Sequence, residues 1–188
     1  MENQMLQTLI FSEPGEGNTR ATLDHAVQRA SALGIEQMVV ATSTGRTALE
    51  AAEHFGGGRV IAVTLSAGHW ERYCPPDPEI IAELRRREVS VLTGTHTLFG
   101  GIDGGLSAIG AVSASQVMAH TYYTIGQGTK VAVECALMAA DAGLLDMNAE
   151  AISIAGTEGG ADTALVISPA FSNTCFDLRI REIIVMPR

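Results

Sequence analysis

Residues 37–65 read QMVVATSTGRTALEAAEHFGGGRVIAVTL, and this stretch decides the fold. It opens on a continuous apolar run, Gln37–Ala41, of the kind that forms a parallel strand buried on both faces. A hydroxyl-rich turn follows at 42–47. A helical pattern then runs from about Gly45 to Phe55 and closes on Gly56, Gly57 and Gly58. Residues 59–65, RVIAVTL, make a second buried strand. Strand, turn, helix and strand form one βαβ unit, with parallel strands and a right-handed crossover.

The same alternation extends in both directions. Upstream, residues 6–11 (LQTLIF) read as a short strand, SEPGEGN as a turn, and Asn18 or Thr19 as the cap of a helix reaching Leu33, with Leu23, Val27, Ala30 and Leu33 on one face and Gly34 as its stop. Downstream, Asp77 followed by Pro78 marks a third helix start, and residues 89–93 (VSVLT) the next strand. Residues 105–125 carry apolar side chains at 106, 109, 112 and 117 and are expected to form one helix. Residues 130–142 are expected to form another, ended by Gly143. Three strands close the chain, at 150–155, 164–168 and 178–185. The class is α/β with a mostly parallel sheet. No repeat, low-complexity segment or linker divides residues 1–188, so one domain is expected.

Composition excludes several functions. The net charge of −9, with 12 basic against 21 acidic residues, argues against a nucleic-acid partner. Arg85, Arg86 and Arg87 sit beside Glu83 and Glu88 and read as a solvated helix face. No apolar run approaches the ~20 residues that span a bilayer, and the N-terminus lacks a signal-peptide pattern. The three cysteines form no CxxC pair and the five histidines no metal-binding spacing. A cytoplasmic protein with reduced thiols and without a metal is expected.

Ligands of an open parallel sheet bind beyond the carboxyl ends of its strands. The loops expected there are rich in hydroxyls and glycine: 12–19 (SEPGEGNT, with Glu13 and Asn18), 42–47 (TSTGRT), 64–69 (with Thr64), 93–97 (with Thr93, Thr95 and His96) and 156–163 (GTEGGADT, with Gly156, Thr157, Gly159, Gly160 and Asp162). The sharpest is Thr42-Ser43-Thr44-Gly45-Arg46-Thr47. Four hydroxyl residues and a glycine stand where a helix N-terminus offers unpaired N–H groups and partial positive charge, and Arg46 would add a charged contact. One helix cap needs one hydroxyl, not four, so a phosphate group is the expected ligand. His96 is the one candidate for proton handling, with a structural histidine as the competing reading. Glu13, Glu158 and Asp162 are the crest acids, for which turn formation competes with function. Trp70, after His69, would stack on a flat ring or pack at an interface.

Residues 20–65 resemble the carboxyl-terminal domain of pyruvate kinase, whose Ser/Thr-rich loop holds a sugar phosphate in enzymes that respond to fructose 1,6-bisphosphate. EPGEGNT (13–19), LGIEQMVVATSTGRTA (33–48), VLTGTHTLFGG (91–101), GQGTKVAVE (126–134), MAADAGL (138–144), GTEGGADTALVISPA (156–170) and FDLRIREIIVMPR (176–188) resemble, more specifically, a family of stand-alone archaeal and bacterial proteins of this type. The resemblance implies a three-layer α/β/α fold with a mixed sheet whose last strand runs antiparallel to the others. It also implies FMN as cofactor, its phosphate in the 42–47 loop and the rest along Thr64, Thr93 and 156–160. The family carries no assigned reaction. With no catalytic barrel in 188 residues, pyruvate kinase activity is not expected. A flavin-dependent oxidoreductase and a non-catalytic sensor of a phosphorylated metabolite are the two readings. Phosphotransfer ranks last, because no GxxxxGK[ST] loop is present. A homo-oligomer is expected from the family relation.

Overall fold

A computed structural model describes residues 5–188. Seven strands form one sheet in the order β1-β7-β6-β5-β2-β3-β4. They are β1 (Leu9–Phe11), β2 (Gln37–Ala41), β3 (Arg59–Thr64), β4 (Ser90–Thr93), β5 (Ala151–Ala155), β6 (Thr163–Ser168) and β7 (Arg179–Pro187). The described residues form six α-helices: α1 (Thr19–Leu33), α2 (Arg46–His54), α3 (Pro78–Arg86), α4 (Gly101–Ala108), α5 (Ala114–Tyr123) and α6 (Gln127–Asp141), of which α1, α2, α3 and α6 pack on the sheet.

Burial follows the period of two along the strands. Met38 and Val40 of β2, Val60 and Ala62 of β3, and Ile152 and Ile154 of β5 face α1, α2 and α3. Val39, Ile61 and Val63 alternate with them toward α6. Both faces of the central strands are therefore apolar and both are covered, which makes the three layers. On the second face α6 does most of the covering, touching β5, β2, β6 and β3. Its residues 128–140 are buried except Val131.

Two helix signals act as read. Asp77 Oδ1 accepts from Glu79 N at 2.9 Å and Ile80 N at 3.3 Å, with Pro78 as the first helical residue. Gly34 takes the left-handed conformation at φ 68° and ends α1.

Several expectations are corrected. The antiparallel strand is β6, not the last one: β5–β6 and β6–β7 are antiparallel, and β7 pairs parallel with β1. Short links on both sides of β6 cannot make the long crossover that a parallel neighbour needs. β1 starts at Leu9 rather than residue 6, and Thr8 Oγ1 donates to Ile183 O at 2.7 Å just ahead of the ladder. On α1, Leu33 is exposed, while Thr22 and Ala26 join Leu23 and Ala30 inside. The single helix expected over 105–125 is two, α4 and α5. Gly110 turns the chain at φ 84°, and Ser113 opens α5 with a reciprocal capping box to Gln116. The apolar residues 106, 109, 112 and 117, whose spacing suggested that helix, are exposed.

Gly128 is where α6 meets β6 most closely: a Cβ there would lie 2.1 Å from Thr163 Oγ1 and 2.5 Å from Thr163 Cβ. Gly128→Ala is expected to push α6 off the sheet and lower stability by about 1–3 kcal/mol in urea unfolding. Gly105→Ala, on exposed α4 with nothing within 4 Å, is expected to be neutral or stabilising by up to about 1 kcal/mol.

Candidate ligand-binding crest

The carboxyl ends of β2, β3, β4 and β5 share one edge of the sheet, and the loops leaving them form a crest. β2 and β4 lie two strands apart, about 10 Å. After β2, Thr42 Oγ1 accepts from Gly45 N at 3.0 Å and closes the 42–47 turn. Thr44 O accepts from Asp77 N at 2.9 Å, which ties the turn to the entry of α3. Gly45 is left-handed at φ 104°, and a Cβ on it would lie 2.8 Å from Ile80 Cγ2, so the close approach of α3 accounts for the missing side chain.

The first turn of α2 carries no acidic residue and no side-chain cap. Arg46 N reaches Thr44 Oγ1 only at 3.4 Å, and Thr47 N and Ala48 N find no acceptor among the described residues. Arg46 is exposed and makes no ion pair among the described residues, in a chain with 21 acids to 12 bases. An unpaired cation at the positive end of a helix is electrostatically unfavourable by itself. Ser43 and Thr44 are half-buried beside it, and Thr47 is buried.

Between the β3 and β4 ends lies an open cleft of about 550 Å³, lined by Ser66, Gly68, His69, Thr93, Thr95 and Gly101 among others. Thr64 Oγ1 and Thr93 Oγ1 share a hydrogen bond of 2.6 Å at its base. His69 and His96 stack with ring centroids 5.0 Å apart and planes 3° from parallel. Ser66 Oγ is 2.8 Å from His69 Nδ1, and Ser66 N donates to His96 Nε2 at 3.3 Å, so the neutral His96 carries its proton on Nδ1. Burial pushes the His96 pKa down; Glu134 opposes this, and His69 and Lys130 add to it. Trp70 donates its indole N–H to Leu65 O at 2.9 Å.

Sequence reasoning read residues 130–142 as a helix and missed the ion pair inside it. Lys130 Nζ donates to Glu134 Oε2 with both side chains buried. Glu134 Oε1 also accepts from Leu98 N at 2.6 Å and Phe99 N at 3.0 Å, anchoring the loop that carries His96. Lys130 Nζ lies 5.3 Å from the Phe99 ring centroid. The available signal was two opposite charges four residues apart in an otherwise apolar helix.

The remaining candidates gather on the other side of β5. Asp162 is fully buried; Oδ2 accepts from Gly15 N at 2.9 Å and Thr157 N at 3.1 Å, and Oδ1 from Thr163 Oγ1 at 2.8 Å. Its carboxylate thus joins the loop after β1 to the β5–β6 hairpin. Gly156 and Gly160 pack backbone against backbone, and Gly160 also meets Glu16 and Thr19. Asn18 Nδ2 donates to Glu13 O at 2.8 Å. Glu13, Glu158 and Gly159 are exposed, and Glu158 holds a left-handed φ of 68°.

The chain matches the family model described as pyruvate kinase, alpha/beta domain, over residues 20–167. It belongs to that family. The match takes in α1 through most of β6, so the 42–47 turn, the cleft and the buried ion pair all lie within the alpha/beta domain proper. No group of three or more His, Cys, Asp or Glu that would hold a metal occurs among the described residues, and no described helix is long and apolar enough to cross a membrane.

Glu134→Ala is expected to cost about 3–5 kcal/mol in chemical denaturation, because it leaves Lys130 charged and unpaired inside. Lys130→Met combined with Glu134→Gln is expected to recover most of the loss, since the Gln carbonyl still accepts from Leu98 and Phe99. For His96, the unfolded chain binds more protons between its folded pKa and the ordinary value of about 6.5. Its contribution to stability is therefore complete above that ordinary value and is lost as pH falls through the interval to the folded pKa. Stability curves at closely spaced pH are expected to show this slope, reduced in His96→Asn.

Proposed function

We propose that this alpha/beta domain binds a phosphorylated small molecule across its crest, with the phosphate at the first turn of α2. The observation that carries this reading is Arg46. Among the described residues it stands exposed and unpaired at the positive end of a helix whose Thr47 and Ala48 N–H groups lack acceptors. An anion at that point would satisfy the N–H groups, the dipole and the guanidinium together. The hydroxyls of Ser43 and Thr44 would complete its shell.

FMN fits the groups present. Its single phosphate suits the 42–47 turn, and the ribityl hydroxyls suit Thr64, Thr93 and Thr95 on the next two strand ends. The cleft beyond, of about 550 Å³, lies within the usual range for small-molecule sites. His69 lines it. A bound flavin would supply redox chemistry through its ring, and this chain's residues would bind the phosphate, orient the polar chain and leave the ring beside His69 and His96.

One observation favours the second reading, a non-catalytic sensor of a phosphorylated metabolite. The Lys130–Glu134 pair and Asp162 are engaged in internal hydrogen bonds, which leaves few groups free for proton transfer at the crest. Such a sensor would signal by gaining stability on binding.

Titration with FMN, riboflavin and fructose 1,6-bisphosphate separates these readings. FMN is expected to bind at least tenfold more tightly than riboflavin, about 1.4 kcal/mol from the phosphate. Arg46→Ala is expected to weaken FMN by a comparable factor and to leave riboflavin unchanged, and sulfate is expected to compete with FMN. Equal loss of FMN and riboflavin in Arg46→Ala would remove the phosphate from α2. Tighter binding of the sugar phosphate than of FMN would establish the sensor reading instead.

A further inference from the structure

The exposed surface of the α4–α5 pair is apolar. Seven of the fourteen large exposed apolar side chains among the described residues fall between Ile102 and Ile125. Ile102 is 85% exposed, Ile109 80% and Val112 77%. Ile102, Leu106 and Ile109 repeat at helical spacing on α4, and Val117 continues the apolar surface on α5. No residue of α4 is buried, and three of its eight residues are glycines, which are poor helix formers. A helix of this length without a buried face has little to hold it in water. What ties it down is polar and local: Ser115 Oγ donates to Asp103 Oδ2, and Gln116 Nε2 to Asp103 O at 3.3 Å.

Charge says what covers this surface. Between Thr97 and Thr129 the single Asp, Glu, Lys or Arg is Asp103, which already accepts from Ser115. The chain as a whole carries 12 basic and 21 acidic residues and a net charge of −9. Two copies approaching through most of their surface repel one another, and this face is where they do not. Loss of charge together with exposed Ile and Val marks the core of a protein contact. A membrane-surface helix would carry Lys or Arg beside its apolar face, and this segment has none. A closed two-fold contact requires a patch complementary to itself, and an uncharged apolar patch meets that requirement.

We infer that the α4–α5 face is the contact between two copies of this chain. Gly101, the first residue of α4, also lines the cleft between β3 and β4, so the contact borders the candidate ligand site. The inference is independent of what the crest binds.

Sedimentation equilibrium of the full chain tests it. The wild type is expected at twice the 19.7 kDa chain mass or a higher even multiple. Ile109→Glu combined with Val112→Glu is expected to sediment as a single chain, with an unchanged far-ultraviolet spectrum. Both positions are exposed, so neither substitution disturbs the core. A monomeric wild type at high concentration, or a variant that keeps the wild-type mass, would overturn the inference. Hydrogen exchange on the unmodified protein gives a reading independent of variant folding. Amides of α4 are expected to be protected at high concentration and to lose protection by at least tenfold on dilution to single chains. Exchange in α4 that does not depend on concentration would also overturn it.

Discussion

The constraint on which this structure turns is that β2, β3 and β5 are apolar on both faces. A sheet of that kind is unstable until both sides are covered. α1, α2 and α3 cover one side. The other is left to α6, which is buried along nearly its whole length. A helix so enclosed cannot place a lone charge inside, so Lys130 and Glu134 enter together. Glu134 then has a second oxygen to satisfy, and it does so with the backbone of Leu98 and Phe99. The loop carrying Thr95 and His96 is thereby held against α6. Covering the sheet and shaping the crest are consequences of one packing problem.

Asp162 does comparable work on the far side of β5. Its oxygens accept from the loop after β1, from the β5–β6 hairpin and from Thr163. β1 is distant in sequence and is a three-residue edge strand, too short to be held by its ladder alone. The buried carboxylate supplies the missing anchor, and it keeps the crest loops at a common level. The crest therefore divides by role. In one part, the Asp162 carboxylate is hydrogen-bonded through both oxygens. The other, from the first turn of α2 to His69, retains unpaired N–H groups, free hydroxyls and an unpaired arginine. The proposed binding is assigned to the second part, because only unsatisfied groups gain from a ligand.

The family relation and the geometry meet at this point. The pyruvate kinase alpha/beta domain supplies the framework, and the proposed anion site rests on the residues at the α2 turn. The α4–α5 pair is largely exposed, reaching the core through Ala119 and the cleft through Gly101. Its lack of charge in an acidic chain is as much a property of the surface as the arginine at α2 is of the site.

Much of the fold was legible from local pattern. Buried runs marked β2 and β3, Asp77-Pro78 announced α3, and the glycines at 34 and 143 ended their helices, because caps and strand burial depend on a few adjacent residues. The 42–47 turn was legible for the same reason: strand, hydroxyls and helix start lie within six positions. The rest rested on partners far apart in the chain. The pattern within residues 163–168 does not tell whether that strand runs with its neighbours or against them; the short links on either side and the pairing with β5 and β7 decide it. Apolar residues at 106, 109, 112 and 117 look like a core face at helical spacing, yet a break at Gly110 and the prior claim of α6 on the sheet leave them outside. Likewise Asp162 reads in sequence as a loop acid at a ligand site, and only folding brings Gly15 N to it across 147 positions. Sequence alone determined the α/β class and most of the strands and helices, including the strand-to-helix turn at 42–47. Tertiary structure decided which polar groups were already satisfied, because a hydrogen bond between distant residues leaves no mark on the local pattern of either.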